Sequence, residues 1–188
     1  MKNSRNTVLA LVAGSVFLAS CRASLPPLET VDYVDLQRFM GDWYVIANIP
    51  TFVEKGAHNA VESYHLDDDG SIATTFTFRK DGFDGPLKDY HPRGFVRDTE
   101  SNAEWGMQVI WPIKGDYRIT FLADDYSRTV ISRNKRDYVW IMARSPEITQ
   151  AEYQQMLDHV RSSGYAMEQL RKVPQQWPKE QSEQGPKP

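Results

Sequence analysis

Apolar and polar residues alternate in short runs through most of the chain. In "GDWYVIANIP", residues 41 to 50, Trp43, Val45, Ala47 and Ile49 fall at every second position, the period of a strand with one buried face. Tyr44 and Ile46 are apolar as well, so the other face is also covered. "HNAVESYHL" (58–66) and "SIATTFTFR" (71–79) follow, joined by "DDDG", whose Asp-Gly ending suits a tight hairpin turn. Then come "LKDYHPRGFVR" (87–97), "AEWGMQVIW" (103–111), "DYRITFLA" (116–123), "RTVISR" (128–133) and "DYVWIMAR" (137–144). Eight strands with short connections, each of the length a small barrel needs, predict an all-β chain folded as an eight-stranded antiparallel up-and-down β-barrel. Pro92 removes a ladder donor inside the fourth run, which predicts a bulge or an edge there.

After residue 147 the period changes. Ile148, Thr149 and Glu152 form a hydrophobic staple and a capping box, with Thr149 as N-cap and Ile148 placed to meet Tyr153. Tyr153, Met156, Leu157 and Val160 make an apolar stripe at helical spacing, and Gly164 is a good stop. One amphipathic helix after eight strands has only the outside of the barrel to pack on. The expected architecture is all-β with one C-terminal α-helix packed outside.

The chain's start carries a different signal. Lys2 and Arg5 precede an apolar run from Val8 to Leu18, the order of a secretory signal peptide and too short for a membrane span. "LASC", Leu18 to Cys21, resembles the bacterial lipoprotein box and holds the single cysteine of the chain. That resemblance implies cleavage before Cys21, a diacylglyceryl thioether on its sulfur and an acylated amine, palmitate being one such acyl group. The competing reading is an ordinary signal peptide with an incidental cysteine, but an unpaired thiol is odd in an oxidising compartment. Arg22 is not the aspartate that retains such lipoproteins in the inner membrane, so the expected localisation is the outer membrane, lipid-anchored. Two or more acyl chains suffice for stable anchoring. The organisation read from this is 1–20 signal peptide, 21–34 lipidated tether, 35–174 barrel domain and 175–188 flexible tail, both ends being rich in Pro or polar residues.

Composition narrows the function. A formal net charge of −3 and a pI near 5.8 argue against nucleic acid as a partner. The histidines are His58, His65, His91 and His159; His58 and His65 fall on opposite faces of one strand, so no shared metal is expected. There is no H-E-x-x-H, no cysteine pair and no phosphate-binding glycine loop. No catalytic residue, cofactor or metal is assigned. A lipid-modifying enzyme in the same barrel and a ligand-free interaction module remain as alternatives, and a homodimer stays open.

The strand count, "GDWY" in the first strand, Tyr126 between the sixth and seventh, and "WIMARSP" with Arg144 at the end of the eighth together resemble the lipocalin family. The similarity covers roughly residues 31 to 174. In an up-and-down barrel, Trp43, Tyr126 and Arg144 meet at one end. The resemblance implies that this end is closed, with Trp43 as plug and Arg144 stacked across its indole and bonded to backbone carbonyls. Gly41 would let the chain turn from a short helical lid into the first strand. One departure from the family pattern stands out. Ala123 occupies the place where an aspartate usually precedes the tyrosine by three, which leaves Asp124 or Asp125 to substitute.

The opposite end is then the mouth of a calyx. By alternation the interior candidates are Ala47, Ile49, Glu62, Tyr64, Phe76, Phe78, Tyr90, Val109, Trp111, Tyr117, Ile119, Tyr138 and Trp140. Barrels of this size are either filled by side chains or hold one small ligand, and the resemblance favours the second. Glu62 is the odd member: either it points inward and must be paired, hydrated or neutralised, or a bulge turns it out. Mouth loops carry a basic excess that includes Arg133 and Lys135, suited to the anionic head of a fatty acid or lysophospholipid whose chain lies inside. The expected function is binding, storage or transport of such a lipid.

Overall fold

A computed structural model describes residues 26–178. The lipidation residue Cys21, the signal peptide and the last ten residues of the chain lie outside the described residues. A short helix α1 (Leu36–Phe39) leads into β1 (Gly41–Ile49), and β2 (Ala57–Leu66) and β3 (Ser71–Lys80) follow as a meander. The fourth run divides at Pro92 into β4 (Leu87–Tyr90) and β5 (Arg93–Val96), both paired with β3. Then come β6 (Glu104–Ile110), β7 (Ile113–Leu122), β8 (Arg128–Ser132), β9 (Val139–Ala143), α2 (Gln150–Ser162) and the two-residue β10 (Arg171–Lys172). Every pairing is antiparallel, and β9 returns to pair with β1, which closes the barrel of eight strands, β4 and β5 counting as one. Closure removes the free sheet edges that an open antiparallel sheet would expose.

Two cores result. Inside the barrel, Trp43, Val45, Tyr64, Ile72, Phe76, Phe78, Trp105, Tyr117, Ile119 and Ile131 form one cluster. Outside, α2 packs Tyr153, Met156 and Val160 on Ala47, Val130, Val139 and Ile141. The helix begins at the capping box: Glu152 N donates to Thr149 Oγ1, and Thr149 N donates to Glu152 Oε2 at 2.8 Å. It stops before Gly164, whose φ of +84° is costly for any residue with a Cβ.

Bulges decide which face several residues take. A register shift between Val45 and Ala47 reverses the alternation of β1, so Ala47 and Ile49 lie under α2, outside the barrel, and Asn48 turns in. This corrects their placement among the interior candidates. A second shift between Ile119 and Phe121 sends Phe121 out toward His159, leaving Tyr117 and Ile119 inside. A third lies between Met107 and Ile110, and past it Trp111 stands 83 % exposed at the β6–β7 tip rather than in the interior.

The segments before and after the barrel are docked where they are described. Leu28 N donates to Asn134 Oδ1 at 2.8 Å, and Val31 and Val34 donate backbone hydrogen bonds to Ile119 and Ser101. Beyond residue 174, Gln175 Nε2 donates to the Val45 carbonyl, Gln176 exchanges two hydrogen bonds with Asn59, and Trp177 packs edge-on to Tyr44. The polar composition of both stretches concealed these anchors.

Candidate functional site

The closed end is built first by the sequence around Gly41. With φ of +91° this residue redirects the chain from α1 into β1, and Trp43 then points into the barrel. The indole Nε1 of Trp43 donates to the Phe39 carbonyl at 2.9 Å. Arg144 covers the indole, its guanidinium carbon 3.8 Å from the ring centroid, and donates to the carbonyls of Arg38, Phe39 and Asp42. Tyr126, at φ +61°, accepts from Asp35 N at 2.8 Å and lies under the Arg38 guanidinium. Asp125 braces this turn by accepting from the backbone and hydroxyl of Ser127, and the Ala123 carbonyl accepts from Tyr126 N. Asp124 contributes only its carbonyl, to Arg38.

From the other end a cavity of about 500 Å³ descends between the strands, in the size range of small-molecule sites. Phe76, Tyr90, Met107, Val109, Tyr117, Tyr138 and Trp140 supply most of its wall. Of the sequence candidates, Glu62, Phe76, Tyr90, Val109, Tyr117, Tyr138 and Trp140 therefore line it. Tyr64, Phe78 and Ile119 face the same interior but belong to the packed core around the cavity. Arg133 is on the wall; Lys135 is not.

Alternation alone did not reach Thr51, Val53, Glu54, Thr74 or Met107, which also line the cavity. Thr74 and Met107 were within reach, since each shares the inward alternation of its strand with Phe76 or Trp105. The loop residues were not, because a loop has no period. Glu54, buried at the mouth, accepts from Thr51 N at 2.8 Å, Trp140 Nε1 at 3.1 Å and Asn48 Nδ2 at 3.3 Å. Burial raises its carboxyl above the ordinary range despite these donors.

Glu62 points inward. It is 9 % exposed, and the Tyr64 hydroxyl donates to its Oε2. The Tyr64 and Tyr117 hydroxyls are 2.6 Å apart. Burial, helped by the charge of Glu54 and opposed by the Tyr64 hydrogen bond, pushes the Glu62 carboxyl up to about 7. Both tyrosines are held well above their usual range, first by burial and then by the nearby carboxylate.

Around the mouth the cations are largely occupied. Arg133 pairs with Asp137 at 3.4 Å, Lys80 with Asp81 at 3.8 Å, and Arg136 donates to the Ser163 and Asn134 carbonyls. One wall atom stands apart: Arg133 Nε is buried and has no hydrogen-bond partner among the described residues. Phe52, Val109, Ile110, Trp111 and Ile113 make the rim apolar and exposed. Among the described residues no cluster of His, Cys, Asp and Glu could hold a metal ion.

Residues 34–175 match the family model of the Lipocalin-like domain. The chain belongs to the lipocalin family. Lipocalins bind small hydrophobic ligands, and the calyx of this lipocalin is where such a ligand fits. It is 27% identical over 175 residues to the outer membrane lipoprotein Blc of Citrobacter freundii, covering 87% of this chain and 93% of that one. Temperature-induced lipocalin-1 of Arabidopsis thaliana is 27% identical over 154 residues, 79% of this chain and 83% of the relative. Among solved structures, insecticyanin from the tobacco hornworm Manduca sexta superposes with a TM-score of 0.61 at 14% identity, covering 84% and 88% of the two chains. The cockroach allergen Per a 4 gives 0.60 at 15% identity, covering 82% and 97%. At those identities the likeness is one of fold.

Proposed function

We propose that this lipocalin binds and carries an amphiphile of the fatty-acid or lysophospholipid class at the bacterial outer membrane, to which Cys21 anchors it, and that it does no chemistry on its cargo. The observation that supports this reading is the cavity itself: an aromatic and aliphatic sleeve with an unpaired donor, Arg133 Nε, on the wall beside the mouth loops. A buried donor without a partner is costly, and an anionic head lodged there would satisfy it. The chain would then descend among Phe76, Met107 and Trp140. The exposed apolar rim, Phe52 with Val109 to Trp111, suits a protein that takes its cargo from a lipid surface. Similarity to outer membrane lipoproteins and the lipoprotein box point to the same address.

A titration with lysophospholipid and with an uncharged apolar probe, followed by tryptophan fluorescence, tests the reading. Trp140 on the cavity wall makes binding visible. Saturable 1:1 binding of the lysolipid, weakened by Arg133→Glu, is expected. No saturable binding of either compound would overturn it.

A further inference from the structure

Resting on the amphiphile reading, the geometry points to a second requirement at the far end of the calyx: the preferred ligand carries a hydrogen-bond donor, a hydroxyl or amine, at its buried end, received by the free oxygen of Glu62. Glu62 lies deep on β2, paired across the sheet with Trp43, the plug of the closed end, and with Phe76. Its side chain is on the cavity wall, which Thr74 and Tyr117 also line.

Counting protons shows what this floor can do. Tyr64 has one hydroxyl proton and gives it to Glu62 Oε2. The close contact between Tyr64 and Tyr117 must therefore use the proton of Tyr117. Both donors are spent. Once Glu62 is ionised, above its value of about 7, what faces the cavity is acceptor capacity alone: the remaining lone pairs of Tyr117 and the second carboxyl oxygen of Glu62, which has no hydrogen-bond partner and no ion pair among the described residues. The surroundings offer no relief, since Trp43, Phe76 and Trp105 are apolar and buried and the Thr74 hydroxyl donates to the Ile72 carbonyl. A ligand ending in a methyl group would strip water from this oxygen and return nothing. A terminal hydroxyl or amine supplies the missing donor, and discrimination by a site built around an unpaired polar group is strong. With a head at Arg133 and a donor at Glu62, the ligand is polar at both ends and apolar between.

The test compares hexadecanoate with ω-hydroxyhexadecanoate, and dodecanoate with its ω-hydroxy acid, by fluorescence titration of the intact barrel at about pH 8.5, where Glu62 is ionised. In the unmodified protein the hydroxy acid of at least one chain length is expected to bind about tenfold tighter than its parent, the worth of one hydrogen bond to a charged group. In Glu62→Ala the preference disappears and the plain acid binds more tightly than before. Should that variant fail to fold, Glu62→Met, closer in volume, carries the same comparison. Parent acids binding as well as or better than both hydroxy acids would overturn the inference and leave the amphiphile reading standing. A preference that survives removal of the Glu62 carboxyl would overturn it too. If none of the acids binds, the inference falls together with the fatty-acid half of the amphiphile reading, and the lysophospholipid titration decides the other half.

Discussion

Arg144 and Trp43 meet face to face, the guanidinium carbon 3.8 Å above the indole, and the same guanidinium ties together three carbonyls of the segment that leads into β1. One residue from the end of the last barrel strand thus locks the start of the first. Trp43→Ala is expected to cost about 3–5 kcal/mol of stability, the usual range for deleting a fully buried large aromatic. Arg144→Ala should cost about 1–3 kcal/mol. Urea denaturation of the two single variants and the double variant measures their coupling. Strictly additive losses would show that the stacking contributes nothing.

The buried Glu62 gives stability a definite pH dependence. Its folded-state value of about 7 lies above the ordinary 4.5, so between these two values the folded chain holds a proton the unfolded chain has released. Stability therefore falls as pH rises through that window, by about 3 kcal/mol from this group. Glu54, also raised by burial, acts with the same sign. Denaturant midpoints between pH 5 and 8 should decline for the unmodified protein and decline less for Glu62→Gln. A midpoint that rises with pH across this window, or a slope unaffected by the substitution, would contradict the buried placement.

The architecture was legible because alternation, turn residues and the capping box act locally. Pro92 announced the break between β4 and β5, and Thr149 the start of α2. Bulges were not legible. Each inserts one residue that no side chain betrays, and the one at Val45–Ala47 was enough to move Ala47 and Ile49 from the calyx to the helix interface. Trp111 misled for a related reason: it continues the alternation of β6 past the point where the strand leaves the barrel wall. Glu62 held its register and points inward, one of the two placements that alternation left open; its partner Tyr64 is two residues on, but Tyr117, which bonds to Tyr64, comes from a strand far along the chain. Thr51 and Glu54 sit in a loop, where only three-dimensional neighbours reveal a role.

Cys21→Ser tests the anchor. Without the thioether the mature chain should fractionate with the soluble periplasmic contents, because two-chain anchoring is lost. Retention in the outer membrane after a high-salt wash would rule out lipidation as the tether.

Rim charge should act on selection and rate more than on affinity, since exposed charges are screened. Arg133→Glu is expected to weaken lysophospholipid binding markedly, because its Nε is buried on the cavity wall, whereas Lys135→Glu, off the wall, should change only the salt dependence. Equal effects of the two reversals, read by titration at low and moderate salt, would leave Arg133 without a special part in head recognition.

Native mass spectrometry of the full chain, extracted from its own membrane in mild detergent, addresses the calyx most directly. One noncovalently held amphiphile per barrel is expected, of fatty-acid or lysophospholipid mass. It should be absent from Thr74→Trp, which fills the cavity from its wall. A bare chain in every preparation, or an adduct carried equally by the filled variant, would contradict a lipid-binding calyx.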